Sequence, residues 1–376
     1  MKMEVCPPTA QKGESRVKLK NALMSYTFDD FVLIPQFTDL KSRKEPDTTT
    51  TLGPVKITHP IIASPMNTVT ESEMLCATAR YGCSAVLHRY MTPQEQVSHI
   101  LEAQNYIRKP GSEIEKKWQD NFFFAVGANG DCLDRAKHVY DMTGVKNICV
   151  DVANGHSFSC IVAVEKLAKL DFSPVIMAGN VATYDGAKRL AQAGATSIRV
   201  GIGPGSVCKT RIVTGHGLPL LTSLEDCVRL KEDFSEVSLI ADGGIRNGGD
   251  VVKAIAIGAD VVMIGGLLAG TNESAGQFFV DENGNKYKIY AGMASEEGRK
   301  LNGWFDDDSA SFAPEGSSAR ISAKGPAQKV LHDLVSDLRV GMSYSGARIL
   351  SELREFAEWS RVTTAGYIEG TPHGTK

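Results

Sequence analysis

The sequence predicts an α/β protein built as a closed (β/α)8 barrel, the TIM-barrel architecture, and two observations carry that prediction. From about residue 60, eight short apolar runs bounded by turn residues alternate with amphipathic stretches of helical length, which argues for parallel strands joined by crossover helices. The junctions also resemble one another: "RYGCSAVLH", "LAQAGATSIRVG" and "AIAIGADVVMIG" each place a glycine where a helix ends and follow it with a β-rich run. Eight such units make the closed barrel the economical reading, with the doubly wound open sheet as the alternative.

Taken in order, the predicted strands are "PIIASPM" (60–66), "CSAVLH" (83–88), "FFFAVG" (122–127), "NICVDV" (147–152), "PVIMAGN" (174–180), "SIRVGIG" (197–203), "VSLIADGG" (237–244) and "ADVVMIGG" (259–266). In a barrel, chemistry belongs at the C-terminal ends of the strands. Those ends are marked by Met66-Asn67, His88-Arg89, the stretch from Asp151 to Ser157, Gly179-Asn180, the loop "GIGPGSVCKTR", Asp242-Gly243-Gly244 and Gly265-Gly266. Residues 275–325 leave the repeat. "QFFVDENGNKYKIYAGM" predicts a hairpin around the "DENGN" turn, and "ASEEGRKLNGWFDDDSASFAPEGSSARISAKG" is polar, with little apolar periodicity, and is expected to be a mobile active-site flap. A final helical pattern, "GPAQKVLHDLVSDLRVGMSYSGARILSELREF", should pack back on the barrel, and "EGTPHGTK" reads as a loose tail. The expected organisation is an N-terminal extension over 1–25, one catalytic domain over 26–370 and a tail over 371–376.

Composition narrows the class of partner. Hydrophobic residues make up 42% of the 376 and charged residues 23%, with a formal net charge of -3, which argues against general affinity for nucleic acid or anionic membrane. Small-molecule partners are expected. The opening "MKMEVCPPTAQKGESRVKLKNALMS" is polar and broken by Pro7 and Pro8, so a cytoplasmic location is expected. The eight cysteines form no C-x-x-C pair and no zinc-spaced cluster with histidine. Cys208 differs from the rest because its neighbours are glycines.

Glycines after the last two barrel strands let backbone N–H groups approach an anion, so Gly243, Gly244, Gly265 and Gly266 predict a phosphate site, with "GPGS" beside them. Strand-ending glycines alone would explain each pair less specifically. Asp242 stands where its carboxylate could accept hydrogen bonds from a ribose diol; a turn or helix cap is its bland role. A thiolate is a strong nucleophile, and the glycine-rich loop would present Cys208 to that ligand, with backbone dipoles or Arg211 favouring the charged sulfur. Thr210 shares the turn, where its hydroxyl could relay a proton.

With "DVANGHS", "AGNVAT", "ADGGIR", "GGLLAGTNES" and "PEG", the cysteine loop strongly resembles the inosine monophosphate dehydrogenase and guanosine monophosphate reductase family, over roughly residues 26 to 365. The paired regulatory modules that many dehydrogenases carry after the second strand have no counterpart between "LHRY" and "FFFAVG". The resemblance implies that Cys208 attacks C2 of a purine nucleotide to give a covalent thioimidate, with hydride passing between that carbon and a nicotinamide. It assigns the proton relay to Thr210 and Glu315. It places Ser206 with the four glycines around the phosphate, and Gly292, Met293 and Ala294 along the purine. On the cofactor it places Ser42, Arg43, Arg89, Asp151, Val152, Ala153, Gly201 and Ile202. The carbonyls of Gly203, Gly205 and Cys208 would cup a monovalent cation such as potassium. A homotetramer is also implied. Arg89 could equally form a structural ion pair, and Asp151 a cap for the next turn.

Family dehydrogenases hydrolyse the thioimidate with an Arg-Tyr pair on the flap, and here Gly303 and Trp304 stand at the nearest match, "NGWFDD". General-base activation of water contributes on the order of 10²–10⁴ in rate, so its loss weighs against hydrolysis. The short span from Met293 to Glu315, the "KSRKE" segment at 41–45 and "MASEE" also resemble the reductases, whereas "ADGGIR", "LHRY" and Gly155-His156-Ser157 occur in dehydrogenases. The expected activity is therefore NADPH-dependent reductive deamination of GMP to IMP. The alternatives are an NAD-dependent IMP dehydrogenase and, in a different class, a nucleotide-binding barrel without turnover.

Overall fold

The computed structural model describes residues 22, 24–109, 121–301 and 314–372. The chain enters through a short helical turn, Phe28–Asp30, closed by a reciprocal capping box between Thr27 and Asp30, and continues into β1 (Phe31–Ile34). Two short strands, β2 (Thr50–Leu52) and β3 (Val55–Ile57), form a hairpin. Eight parallel strands follow: β4 (Ile61–Ala63), β5 (Ser84–Leu87), β6 (Phe123–Val126), β7 (Asn147–Asp151), β8 (Val175–Val181), β9 (Ser197–Val200), β10 (Ser238–Asp242) and β11 (Val261–Ile264). Each pairs with the next, and β11 pairs with β4, closing the barrel.

All eight predicted runs are barrel strands, which rules out the open sheet. Their side chains are buried almost without interruption, since crossover helices cover the outside while the barrel fills the inside. The β2–β3 hairpin plugs the N-terminal end. Leu52 and Ile57 are fully buried, the Gly53 amide donates to Ser238 Oγ at 2.9 Å, and Thr50 Oγ1 donates to the Asp260 carbonyl at 3.0 Å.

After the barrel, the "DENGN" turn joins β12 (Phe279–Val280) to β13 (Lys286–Ala291), with Asp281 accepting from the Asn283 and Asn285 amides. The stretch expected to be all flap needs correction at both ends. Glu296–Leu301 is a helix, and β14 (Ser318–Ser322) is a third strand laid antiparallel on β13, with Ala319 and Ile321 turned inward and Ser318, Arg320 and Ser322 exposed. The expected flap mobility and the Gly303-Trp304 position lie in 302–313, outside the described residues, as do 1–21 and 23 of the extension expected over 1–25. The C-terminal helical pattern divides into Ala327–Tyr344 and Leu350–Phe356, separated at Gly346, whose φ of +71° ends the first helix. β15 (Glu358–Arg361) then pairs antiparallel with β1, tying the two ends of the described chain together. Thr364–Glu369, capped by Thr363, forms a helix that ends where the expected loose tail begins, and residues 373–376 of that tail lie outside the described residues.

Candidate active site

The loop after β9 carries Cys208, and its shape depends on glycine at two points. Gly201 has φ +145°, and a Cβ there would stand 2.1 Å from the Asp242 carbonyl oxygen, so the loop can lie against the end of β10 only without a side chain. Gly243 has φ +81° and packs on Gly205 and Pro204, which brings the "DGG" and "GPGS" turns together as the sequence predicts. The Cys208 amide donates to the Gly205 carbonyl at 3.0 Å and closes the turn.

A relay is built on this loop. The Cys208 thiol donates to Thr210 Oγ1 at 3.2 Å, and the Thr210 hydroxyl donates to Glu315 Oε2 at 2.9 Å. Glu315 is 105 residues further along the chain than Thr210, and backbone pairing brings it there. The Lys209 amide donates to the Glu315 carbonyl at 2.6 Å, Cys208 bridges to Gly316, and the Ser317 amide donates to the Val207 carbonyl at 2.8 Å. The entrance to β14 is thus stitched to the cysteine loop. Gly292 fits between them: a Cβ there would meet Gly316 Cα and the Val207 carbonyl at 3.1 Å each. Met293 follows, with its sulfur 3.4 Å from the Asn67 amide, and Asn67 Nδ2 reaches the Gly298 carbonyl. Ala294 is half-buried beside them. Arg211 does not face the thiol; it donates to the Leu218 carbonyl at 2.5 Å and lies over Gly203 and Gly217.

Gly265 and Gly266 end β11 beneath three hydroxyls. A Cβ on Gly265 would stand 2.8 Å from Ser64 Oγ and 2.9 Å from Tyr290 Oη, and one on Gly266 would stand 3.1 Å from Ser206 Oγ. Tyr290 bonds to Ser206, and burial raises its phenol above the ordinary tyrosine range. Ser64 Oγ is buried without a hydrogen-bond partner. Ser64 and Tyr290 were missed in the sequence, where one sits inside an apolar run and the other inside a hairpin strand.

A charged network lines the same mouth. Arg199, in the middle of β9, donates to Asp151 Oδ1 at 2.5 Å and to Asp242 Oδ2 at 2.8 and 3.1 Å. Asn180 Nδ2 donates to that same Asp242 oxygen at 2.7 Å and to the Gly201 carbonyl at 2.8 Å. Burial works against the Arg199 charge, but the two carboxylates more than offset it and keep its pKa well above the ordinary arginine value. Arg89 Nε donates to the Asp151 carbonyl at 3.2 Å and lies 4.0 Å from Asp151 Oδ2, so the expected pair is adjacent. Val152 is held by backbone bonds to Gly179 and Asn180, Ala153 is exposed at the rim, and the Ile202 carbonyl accepts from the Leu218 amide. Arg199 also escaped the sequence reading; a single charge inside a run predicted to be buried was the available signal.

Ser42 and Arg43 are not brought to this mouth within the chain. Their loop is anchored by Asp47 to Arg348 and Ile349, and by Thr48 to Thr58 and His59, which precede β4 at the opposite end of the strands. Among the described residues no group of three or more histidine, cysteine or acidic side chains could hold a metal ion, and no helix is long and apolar enough to cross a membrane.

These features define a class: a closed β/α barrel whose strand ends hold a thiol, a hydroxyl and a carboxylate in hydrogen-bond series beside glycine pairs overhung by serine and tyrosine hydroxyls. The chain belongs to the IMP dehydrogenase / GMP reductase family, whose domain model matches residues 25–373. It is similar to an inosine-5'-monophosphate dehydrogenase of Cryptosporidium parvum, at 33% identity over 94% of this chain and 96% of that protein. A dehydrogenase of Aquifex aeolicus (strain VF5) is 43% identical over 66% of this chain and 51% of its own length. The fold is similar to a crystal structure of a cysteine-to-alanine variant of GMP reductase from Trypanosoma brucei in complex with guanosine 5'-monophosphate. That similarity has a TM-score of 0.85 and 29% identity, covering 96% of this chain and all of the other. The family is one of oxidoreductases that use a nicotinamide dinucleotide.

Proposed function

We propose that this protein is a GMP reductase that converts GMP to IMP at the expense of NADPH, releasing ammonia. The observation that carries covalent chemistry on a purine nucleotide is the Cys208–Thr210–Glu315 series, which can move a proton while the sulfur adds to C2 of the purine. The C2 amino group leaves as ammonia with the proton that the relay supplies, and Cys208 stays bonded to C2. The cofactor, when bound, supplies the hydride for C2, and the C2–S bond then breaks to return the thiolate. Across the cycle one GMP, one NADPH and two protons give IMP, NADP+ and ammonium.

Ser64, Ser206, Tyr290 and the glycine pairs 243–244 and 265–266 cradle the phosphate, and the unpartnered Ser64 hydroxyl fits that role. Asp242 Oδ1 takes the ribose diol, and Gly292, Met293 and Ala294 line the purine. Arg89, Asp151, Val152, Ala153, Gly201 and Ile202 face the nicotinamide side. Carbonyls of Gly203, Gly205 and Cys208 hold a monovalent cation, with Gly205 sharing its oxygen with the Cys208 amide.

The presence of Gly303 and Trp304 where the dehydrogenases carry their water-activating pair favours ammonia chemistry over hydrolysis. A second reading, NAD-dependent oxidation of IMP to XMP, is favoured by the dehydrogenases among the relatives. Paired absorbance assays of the reduced nicotinamide separate the two. Loss of signal with NADPH and GMP, with ammonia released, is the expected result; a rise with NAD and IMP, without the first reaction, would replace the reductase by the dehydrogenase.

A further inference from the structure

Arg199 is 5% exposed, and β9 is otherwise small or apolar. A guanidinium at that depth must be paired, and here its fork is divided between two carboxylates from different strands. One terminal nitrogen meets Asp151 Oδ1 at the end of β7, with Cys149 Sγ 3.6 Å away, and the other meets Asp242 Oδ2 at the end of β10 together with Nε. Asp242 Oδ2 is further claimed by Asn180. Arg199 therefore leaves one oxygen of each carboxylate outside its grip: Asp242 Oδ1, and Asp151 Oδ2, which faces Arg89 at 4.0 Å.

We infer that Arg199 is a positioning residue that couples the substrate side of the mouth to the cofactor side. It holds one oxygen of Asp151 and one of Asp242 in a single fork, and so makes nucleotide affinity depend on a carboxylate the nucleotide does not touch. The inference rests on the nucleotide reading above. When Asp151 loses its charge, Arg199 turns wholly to Asp242 and draws electron density and orientation away from the oxygen offered to the ribose. Nucleotide binding then weakens even with no dinucleotide present.

The test is equilibrium dialysis of GMP and of IMP, without dinucleotide, against the full-length protein and its Asp151→Asn, Arg199→Met and doubly substituted forms. Asp151→Asn is expected to weaken binding about fivefold, the lower range for energetic coupling between sites. In the Arg199→Met background the same substitution should have no further effect. Arg199→Lys keeps the charge but has no fork, so it stands in if the methionine variant does not fold; there the effect of Asp151→Asn should shrink. Unchanged affinity in Asp151→Asn, or two substitutions whose effects simply add, would overturn the coupling while leaving the nucleotide site in place. A wild-type protein that binds neither nucleotide would overturn both.

Discussion

The two ends of the barrel are built from the same eight strands and solve opposite problems. At the closed end, charge is neutralised within the chain. Asp260 takes Lys231 at 2.7 Å, Arg354 at 3.1 Å and the Leu239 amide at 2.7 Å, while Leu52 and Ile57 seal the interior. At the mouth, glycines replace side chains and Ser64 Oγ has no partner. The closed end satisfies its polar groups within the fold, whereas the mouth leaves a buried hydroxyl unpaired and keeps its strand ends free of side chains.

That contrast can be broken by substitution. The largest effect is expected at Cys208: Cys208→Ala should abolish turnover, while unfolding stability stays within about 0.5 kcal/mol because the thiol is only half-buried. A large loss of stability would mean that the residue belongs to the framework. Next comes Glu315→Gln, which keeps the shape but removes the proton acceptor from Thr210. A kcat lower by about 10²–10⁴ with little change in nucleotide affinity is expected from steady-state kinetics.

How legible each end was in the sequence follows from the same physics. The barrel strands stood out because strands covered on both faces must be apolar throughout. β1 and β15 did not, since each is four residues long, only partly buried, and paired with a strand more than 300 residues away in sequence. In the site, Cys208 was visible through its glycines. Glu315 was reached only by resemblance, because a lone Pro-Glu-Gly has no periodicity to show that it is sewn to the cysteine loop. Arg199 was hidden by the very run that identified its strand.

At the closed end, Leu52→Ala should cost about 2–5 kcal/mol of stability in denaturant unfolding and leave kcat intact below the new transition. A smaller effect belongs to His59, which accepts or donates one hydrogen bond at 2.7 Å with Thr48 Oγ1. Burial, helped by Arg339, lowers its pKa to about 4, so the folded protein holds it neutral. Its contribution is complete above the unfolded value near 6.5 and declines as pH falls towards 4, by about 1–3 kcal/mol in all. Replacing His59 by Asn should flatten that part of the stability profile; an unchanged slope would place the acid sensitivity elsewhere.

On the proposed function, one thiol at the mouth is set apart for the nucleotide. Brief treatment with iodoacetamide, followed by peptide mapping with and without GMP, tests it against the other described cysteines, of which Cys83, Cys132, Cys149, Cys160 and Cys227 are buried and Cys76 is half-buried. Among the described cysteines, Cys208 should be alkylated first, and GMP should protect it. Faster labelling of Cys76, or labelling of Cys208 that GMP leaves unchanged, would contradict it.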